Sequence, residues 1–209
     1  MRILFLLEQL SPGGAELYAL RKGRYFHERG HAVSFASAGG VLERDLAAED
    51  IPHLMLPTLA QNRGSIPFEE AIADARRLAR WLSTRRIEVV NSFPSRPFLL
   101  GYPTVCDRRI PIFLECLSPT HFLPVRNAGL ACEIAAAGRL YALERGDAEI
   151  HARRLGFPPD AVNLIPNPVD TRRFSPGESW PLRRELGIAQ SELLLAAAWT
   201  KTRRGMCGG

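Results

Sequence analysis

The sequence is poor in lysine and cysteine and has no long hydrophobic run. Only Lys22 and Lys201 are lysine among 27 basic residues. The four cysteines form no C-x-x-C pair, which argues against a metal site and is typical of a protein in a reducing compartment. The apolar run Ile3–Leu7 is closed by Glu8, so it is too short for a signal-peptide core or a membrane span. We therefore expect a cytoplasmic protein without a bound metal, which leaves room for peripheral contact with the inner face of a membrane.

Several motifs that would define a function class are also missing. Neither G-x-G-x-x-G nor G-x-x-x-x-G-K-[ST] occurs, which disfavours a dinucleotide-dependent oxidoreductase. There is no G-x-S-x-G elbow either. The formal net charge is +5, but residues 199–209 supply +3 of it, so the remainder of the chain is nearly neutral. Without a clustered basic stripe or an aromatic platform, we expect no nucleic-acid partner.

What is present is an alternation of apolar runs with helical periodicity. Ile3–Leu7 is typical of a strand covered on both faces, and a helix is predicted from about Ala15 to Arg29, with Gly30 as its left-handed C-terminal cap. The helical spacing is clearest over Pro67–Thr84. Strands alternating with helices predict a Rossmann-like, doubly wound parallel α/β sheet. Further strands are predicted at 33–37, 53–56, 87–90, 110–114, 130–135 and 162–165, with helices at 41–49 and 138–155.

Lys22 conflicts with the pattern of the first predicted helix. On a helical wheel it lies within an apolar arc that includes Tyr18, Ala19 and Phe26. An amphipathic stem can reach out of such a stripe, but a leucine would fit more easily. Nothing in the sequence assigns Lys22 a function.

The first loop of the predicted sheet is rich in glycine. In a parallel sheet ligands bind at the carboxyl ends of the strands, and the loop Ser11–Gly14 lies at this edge, just before a helix. Adjacent glycines allow close approach to the backbone, and the free N–H groups of the helix favour an anion such as a phosphate. Gly13, Gly14 and Glu16 are therefore candidate substrate-binding residues. A plain tight turn has the same sequence, and Glu16 also favours the helix dipole.

Polar residues follow the fourth and fifth predicted strands at the same edge. Asn91 and Ser92 follow the fourth strand, and Ser118 and His121 follow the fifth. These side chains are suited to hydrogen-bond a hydroxylated substrate, and His121 is the candidate general base. Ordinary surface loops contain the same residue types. Because no carboxylate pair or metal-binding histidine pair accompanies them, the residues define a polar cleft but no reaction.

Three segments, in this order, resemble family-4 glycosyltransferases: MRILFLLEQLSPGGAE, RYFHERGHAVSFAS and NLIPNPVDTRRFSP. These are retaining enzymes of the GT-B fold, which transfer a sugar from a nucleotide-sugar donor at a cleft between two domains. The resemblance runs along most of residues 1–198 and implies the N-terminal half of that fold, which chiefly holds the acceptor. It also implies that Gly13 and Gly14 border the cleft near the donor's phosphate and sugar.

The same resemblance implies a domain organisation. Residues 1–168 correspond to the acceptor-side domain, 169–192 to an interdomain linker and 193–209 to the start of a donor-binding domain. The two prolines of Ile165–Asp170 would end the last strand and direct the chain into the linker. A nucleotide-binding domain needs about 100 residues or more. We therefore expect a chain that is truncated before that domain and is inactive alone. Either a frame change near residue 198 causes the truncation, or the second half is a separate chain.

The sequence departs from the family at several positions. Leu117 stands where many members have a histidine, and Asn91 and Ser92 stand at the other common histidine position. No catalytic histidine is therefore carried over, and His121 remains a candidate only. Asp50 stands where the family usually has glycine.

The resemblance implies substrates and partners rather than cofactors. We expect a nucleotide-sugar donor, a glycan or lipid-linked acceptor, and neither a metal nor another cofactor. Arg76, Arg77 and Arg80 on one helix face are compatible with peripheral membrane contact and equally with a solvated face. Two alternatives stay open. One is another enzyme of the same architecture, such as a nucleotide-sugar epimerase, and the other is a non-catalytic domain that binds a glycan, a lipid-linked acceptor or a partner subunit.

Overall fold

The computed structural model divides the chain into two compact units, Met1–Asn167 and Pro168–Gly209. All the described strands lie in the first unit. The structure describes residues 1–60, 66–93, 96–106, 108–116, 139–155, 158–171, 174–175, 180–189 and 191–194.

The described strands of the first unit form a single parallel sheet. Their bounds are β1 (Arg2–Leu6), β2 (Ala32–Ser37), β3 (His53–Met55), β4 (Val89–Ser92), β5 (Ile112–Cys116), β6 (Leu140–Ala142) and β7 (Asn163–Leu164). The sheet has seven strands in the order β3-β2-β1-β4-β5-β6-β7, and every neighbouring pair is parallel. The strand order changes direction between β1 and β4, which confirms the doubly wound, Rossmann-like prediction. Loops that leave the carboxyl ends of β1 and β4 therefore begin at the switch point.

Helices cover the sheet on both faces. Their bounds are α1 (Gly14–His27), α2 (Glu43–Ala47), α3 (Phe68–Thr84), α4 (Arg96–Cys106) and α5 (Arg145–Leu155). Along β1, Ile3 and Phe5 contribute to one hydrophobic core, with residues of α1 and α2. Leu4 and Leu6 contribute to the other core, with residues of α3, α4 and α5. Because both faces are covered, the central strands are continuous apolar runs.

The structure confirms several local predictions and corrects others. Gly30 has a φ of 78°, as predicted for a left-handed cap, and Asp50 has a φ of 54°, in the region that favours glycine. The helix predicted over 138–155 is wrong in its first part, because Leu140–Ala142 forms β6 and the helix begins at Arg145. A three-residue strand gives too short a pattern to separate from a helix. Helix α4 has no counterpart among the predicted elements, and the strand predicted at 130–135 lies outside the described residues.

A buried carboxylate ties α3 to the loop after β3. Asp74 is 1% exposed and accepts hydrogen bonds from the backbone N–H of Thr58 at 2.9 Å and from its hydroxyl at 2.7 Å. Arg77 donates to the same carboxylate at 2.9 Å. Arg77 is exposed, as are Arg76 and Arg80 on the same helix, but it also has this structural partner.

Helix α1 approaches the sheet closely at Gly23. A Cβ added there would lie 2.6 Å from Cζ of Phe35, which is fully buried. The Phe35 ring stacks on Phe5, with ring centroids 5.0 Å apart and an interplanar angle of 16°. Glycine is unfavourable in the middle of a helix by about 1 kcal/mol relative to alanine, so its presence here follows from the close packing.

The second unit contains one described helix, α6 (Trp180–Glu185). A guanidinium nitrogen of Arg183, Nη1, donates hydrogen bonds to the carbonyl oxygens of Ala189 at 2.8 Å and Glu192 at 2.9 Å. These bonds fold the segment after the helix back onto it.

We predict that Gly23→Ala lowers the free energy of unfolding. Overpacking typically costs about 1–3 kcal/mol, which outweighs a gain of about 1 kcal/mol in helix propensity. Gly146→Ala in the first turn of α5 is the matched control, because the nearest atom to its added Cβ is 3.8 Å away. Denaturant unfolding of both variants measures the difference. An unchanged or raised stability for Gly23→Ala would show that the close approach is not required.

Candidate functional site

The glycine loop lies at the carboxyl edge of the sheet, between β1 and α1. Gly13 is the N-cap of α1 in an extended conformation, and Gly14 is the first residue of the helix. Gly14 is exposed, and an added Cβ would have no atom within 4 Å. At Gly13 an added Cβ would collide with the Glu16 carboxylate, which lies over this glycine. An anion approaching Gly13 would therefore meet a negative charge, whereas a hydroxyl group could donate to that carboxylate.

A second loop holds the glycine loop in place. The N–H of Leu10 donates to the carbonyl of Gly39 at 2.8 Å, and the N–H of Leu42 donates to the carbonyl of Leu10 at 2.9 Å. Gly40 has a φ of 148°, and its missing Cβ would collide with the Leu10 carbonyl. Only glycine fits both the backbone conformation and the space at this position. The two loops are thus packed backbone against backbone.

A hydrogen-bonded chain of side chains fixes the second loop. The Ser37 hydroxyl lies 2.9 Å from Nε2 of His53, and Nδ1 of His53 lies 3.3 Å from Oε2 of Glu43. The backbone N–H groups of Gly39 and Gly40 donate to Ser37 at 3.0 Å and to Glu43 at 2.7 Å. Burial lowers the pKa of His53 below its ordinary value, although the Glu43 carboxylate opposes this effect.

The order of these groups matches a nucleophilic Ser-His-carboxylate triad, but the burial does not. Ser37 is 0% exposed, and its oxygen already accepts the N–H of Gly39. A nucleophile must reach its substrate, so the Ser37 hydroxyl cannot act as one in this arrangement. The chain of side chains braces the loop instead. Local patterns cannot reveal it, because its members come from β2, α2 and β3.

The structure places Asn91 and Ser92 inside β4 rather than in the loop after it. Asn91 is 7% exposed and Ser92 is 0% exposed. The side-chain amide of Asn91 donates to Oε1 of Glu115 at 2.9 Å, and the Ser92 hydroxyl donates to the carbonyl of Phe93 at 3.2 Å. Both side chains therefore already have a hydrogen-bond partner within or next to the sheet. The other predicted site residues, Ser118 and His121, lie outside the described residues.

Lys22 has its partner on β5. Its ammonium group forms an ion pair with Glu115, which is 4% exposed. The ammonium nitrogen also lies 5.3 Å from the ring centroid of Tyr18 and 5.9 Å from that of Phe5. Burial and the Glu115 carboxylate raise the pKa of Tyr18 well above its ordinary value. The apolar arc of α1 thus contains a lysine because a buried carboxylate lies opposite it.

Two kinds of feature are absent from the described residues. No three His, Cys, Asp or Glu side chains there are grouped so that they could hold a metal ion. No described helix combines the length and the apolar character that crossing a membrane requires.

Comparison with known proteins identifies the family. The sequence profile of Glycosyltransferase Family 4 matches residues 12–173, from the glycine loop to beyond β7. This match covers most of the chain, and the chain therefore belongs to Glycosyltransferase Family 4. No curated protein sequence matches it.

Solved structures show the same fold. A glycosyltransferase from Rickettsia africae has a TM-score of 0.67 at 15% identity, over 91% of this chain and 50% of that chain. Anabaena Alr3699/HepE in complex with UDP has a TM-score of 0.64 at 21% identity, over 90% of this chain and 50% of that one. UDP-GlcNAc 2-epimerase from Neisseria meningitidis, bound to UDP-GlcNAc, reaches 0.50 at 12% identity, over 80% and 47%. The sheet corresponds to the N-terminal half of a GT-B fold, and the chain spans about half the length of these structures.

We predict that acidification destabilises the protein partly through His53. Because the folded state holds the pKa of His53 below 6.5, the unfolded chain takes up a proton first as the pH falls. The contribution is complete above pH 6.5 and is lost as the pH falls towards the folded pKa. Melting curves between pH 8 and pH 5 should therefore show a weaker pH dependence for His53→Gln than for the wild type. His27→Gln is the control, because His27 is exposed at the end of α1, and it should keep the wild-type pH dependence of the melting temperature. The same pH dependence for His53→Gln and the wild type would contradict the prediction.

We also predict that Lys22 and Glu115 are energetically coupled. Lys22→Met leaves a buried carboxylate without its cation, which typically costs up to about 3–5 kcal/mol of unfolding free energy. Adding Glu115→Gln removes the uncompensated charge and should recover most of the loss. Denaturant unfolding of the two single variants and the double variant measures the coupling. Arg2→Met at the exposed Arg2–Glu88 pair is the control and should have little effect; additive single and double variants would exclude coupling.

Proposed function

We propose that this chain is the acceptor-side half of a retaining, nucleotide-sugar-dependent glycosyltransferase and does not transfer sugar by itself. The observation that carries the proposal is the family match over residues 12–173, which begins in the glycine loop. The Rossmann-like sheet supports it, because such a sheet binds ligands beyond the carboxyl ends of its strands. The loop Ser11–Gly14 leaves that edge at the switch point, where the strand order changes direction.

The chemistry of the glycine loop favours a hydroxylated acceptor. Gly14 offers an open approach to the helix backbone, and the Glu16 carboxylate beside it can accept a hydrogen bond from a sugar hydroxyl. A glycan or lipid-linked acceptor fits this description. In that reading Gly13, Gly14 and Glu16 contact the substrate directly, and Asn91 and Ser92 act only from within β4. If Ser118 and His121 also serve the site, they complete it from beyond β5.

The donor requires a second Rossmann-like domain. The Anabaena relative is in complex with UDP, and the chain spans about half the length of that structure. We therefore propose a nucleotide-sugar donor held by a C-terminal half that completes the GT-B fold, without a metal or other cofactor. A cytoplasmic protein fits this function, and the exposed Arg76 and Arg80 are suited to peripheral contact with an anionic inner membrane face when the acceptor is a lipid.

A nucleotide-sugar epimerase is the second candidate function. The Neisseria epimerase has the same fold, and it is bound to UDP-GlcNAc. An epimerase needs catalytic acids at the cleft. Of the acids beside the loop glycines, Glu16 lies over Gly13, and Glu43 is held by His53 and by the N–H of Gly40, whereas the family match points to a transferase. The transferase is therefore the better supported function. A non-catalytic acceptor-binding domain remains the third possibility and is distinguished by the same experiment.

The experiment combines turnover with binding. We expect the purified chain to release no nucleotide from UDP-, GDP- or ADP-sugars with an array of glycans and lipid-linked glycans, and to convert no nucleotide-sugar into its epimer. We expect it to bind part of the same array, because the acceptor surface lies in this half. Sugar transfer or epimerisation by the chain alone would overturn the proposal.

A matched pair of glycine variants locates the binding. Gly14→Trp should abolish acceptor binding, because the indole would fill the open approach to the loop. Gly146→Trp places the same side chain on another exposed glycine in the first turn of a helix, and binding should persist. Binding that survives Gly14→Trp would place the acceptor elsewhere. The C-terminal half of another family member can also be added to the chain. Acceptor binding without turnover in that mixture would favour the non-catalytic acceptor-binding domain.

A further inference from the structure

A pocket opens beneath the C-terminal half of α1, on the face of the sheet that α1 covers. We call it the α1 pocket; its volume is about 250 Å³. Its walls are largely apolar and include Phe26 of α1, Val89 of β4, Phe113 of β5 and Tyr141 of β6. Met1 and Ile3 at the start of β1 and Val89 at the start of β4 also line it, so it reaches towards the edge opposite the glycine loop.

Three polar side chains form one end of the α1 pocket: Lys22, Asn91 and Glu115. Lys22 and the Asn91 amide both bind Oε1 of Glu115. The remaining oxygens, Oδ1 of Asn91 and Oε2 of Glu115, are buried and have no hydrogen-bond partner among the described residues, while the Tyr18 hydroxyl lies against the same carboxylate. The two residues are only 7% and 4% exposed, so bulk water serves these oxygens poorly. Buried acceptors without donors are rare in native structures and costly.

The charges at this end are balanced before any ligand binds. The Lys22 ammonium neutralises the Glu115 carboxylate. A cationic ligand would add an uncompensated positive charge beside Lys22, and an anionic ligand would face Glu115, at a site where burial makes a net charge expensive. A neutral group that donates through O–H or N–H satisfies the two free oxygens without changing the charge.

The size and lining of the α1 pocket define the rest of the ligand. A cavity of about 150 Å³ lined by apolar side chains accommodates benzene, so about 250 Å³ accommodates one ring with a short substituent or a fused indole. The rings of Phe113 and Tyr141, whose centroids are 5.7 Å apart, offer aromatic contacts to such a ring. A sugar would leave most of its hydroxyl groups against these apolar walls without partners.

We propose that the α1 pocket binds a neutral, single phenol-like or indole-like ring whose O–H or N–H donates to Asn91 Oδ1 or Glu115 Oε2. The ring can belong to a free small molecule or to a tyrosine or tryptophan side chain of a peptide, since both present the same chemistry. The site is separate from the glycine loop, and the inference does not depend on the proposed transferase function.

The test uses the full 209-residue chain and four small probes: p-cresol, indole, toluene and benzylamine. Ligand-observed NMR titrations should show saturable binding of p-cresol and indole. Toluene has the shape of p-cresol without its donor. Its affinity should be lower by about tenfold or more, because it leaves the buried oxygens unpaired. Benzylamine should also bind more weakly than p-cresol. Amide shifts in the spectrum of the wild-type protein should be largest at Phe26, Phe113 and Tyr141.

A cavity-filling variant and its control complete the test. Val89→Phe should remove binding, because the added ring occupies the α1 pocket. Leu54→Phe enlarges a half-buried strand residue in the opposite core and should leave binding unchanged. Absence of p-cresol and indole binding, equal affinity for toluene and p-cresol, or shifts outside the α1 pocket would overturn the proposal, whether or not Val89→Phe folds.

N-acetyl-tyrosinamide distinguishes the two sources of the ring. If it binds as p-cresol does, the site accepts a tyrosine side chain with its backbone attached. If p-cresol binds and N-acetyl-tyrosinamide does not, the site takes free small molecules. Both results support the proposed ring chemistry.

Discussion

The contact of Gly23 with Phe35 sets the position of α1 on the sheet, and the chemistry of the first unit follows from that position. A helix of 14 residues is stiff, so one close approach near its middle fixes both ends. At its N-terminus the helix presents the glycine loop at the carboxyl edge. Its C-terminal half places Lys22 opposite Glu115 and Phe26 over the α1 pocket. One packing contact therefore positions both candidate sites.

The sequence predicts those features whose cause is local. The apolar run Ile3–Leu7 indicates a central strand because both faces of that strand are covered, and Gly30 indicates a helix end because the backbone there is left-handed. The short strand β6 is hidden within a helical pattern, since three residues carry no clear period. Family membership depends on loop and turn residues at fixed places in the fold, so it can be recognised even where the secondary structure is misjudged.

The polar interior could not be predicted, because its partners are far apart in the chain. Lys22 and Glu115 are separated by 93 positions, and only the strand order brings them together. Ser37 and His53 meet because β2 pairs with β3, and Thr58 and Asp74 meet because α3 packs on the loop after β3. Asn91 looks like a loop residue in the sequence, but the register of β4 turns it into the sheet beside Phe5 and Phe113. Each buried polar contact joins two elements, so together they specify how the elements are arranged.

The scarcity of lysine makes the Lys22–Glu115 pair a built-in reporter. Lys22 is the only lysine in the first unit, so the N-terminal amine is the only other primary amine there. An ammonium group that is held by a carboxylate reacts slowly with acylating reagents, because the ion pair must separate before the nitrogen can attack. The rate at which Lys22 is labelled therefore measures how often its ion pair with Glu115, which joins α1 to β5, comes apart.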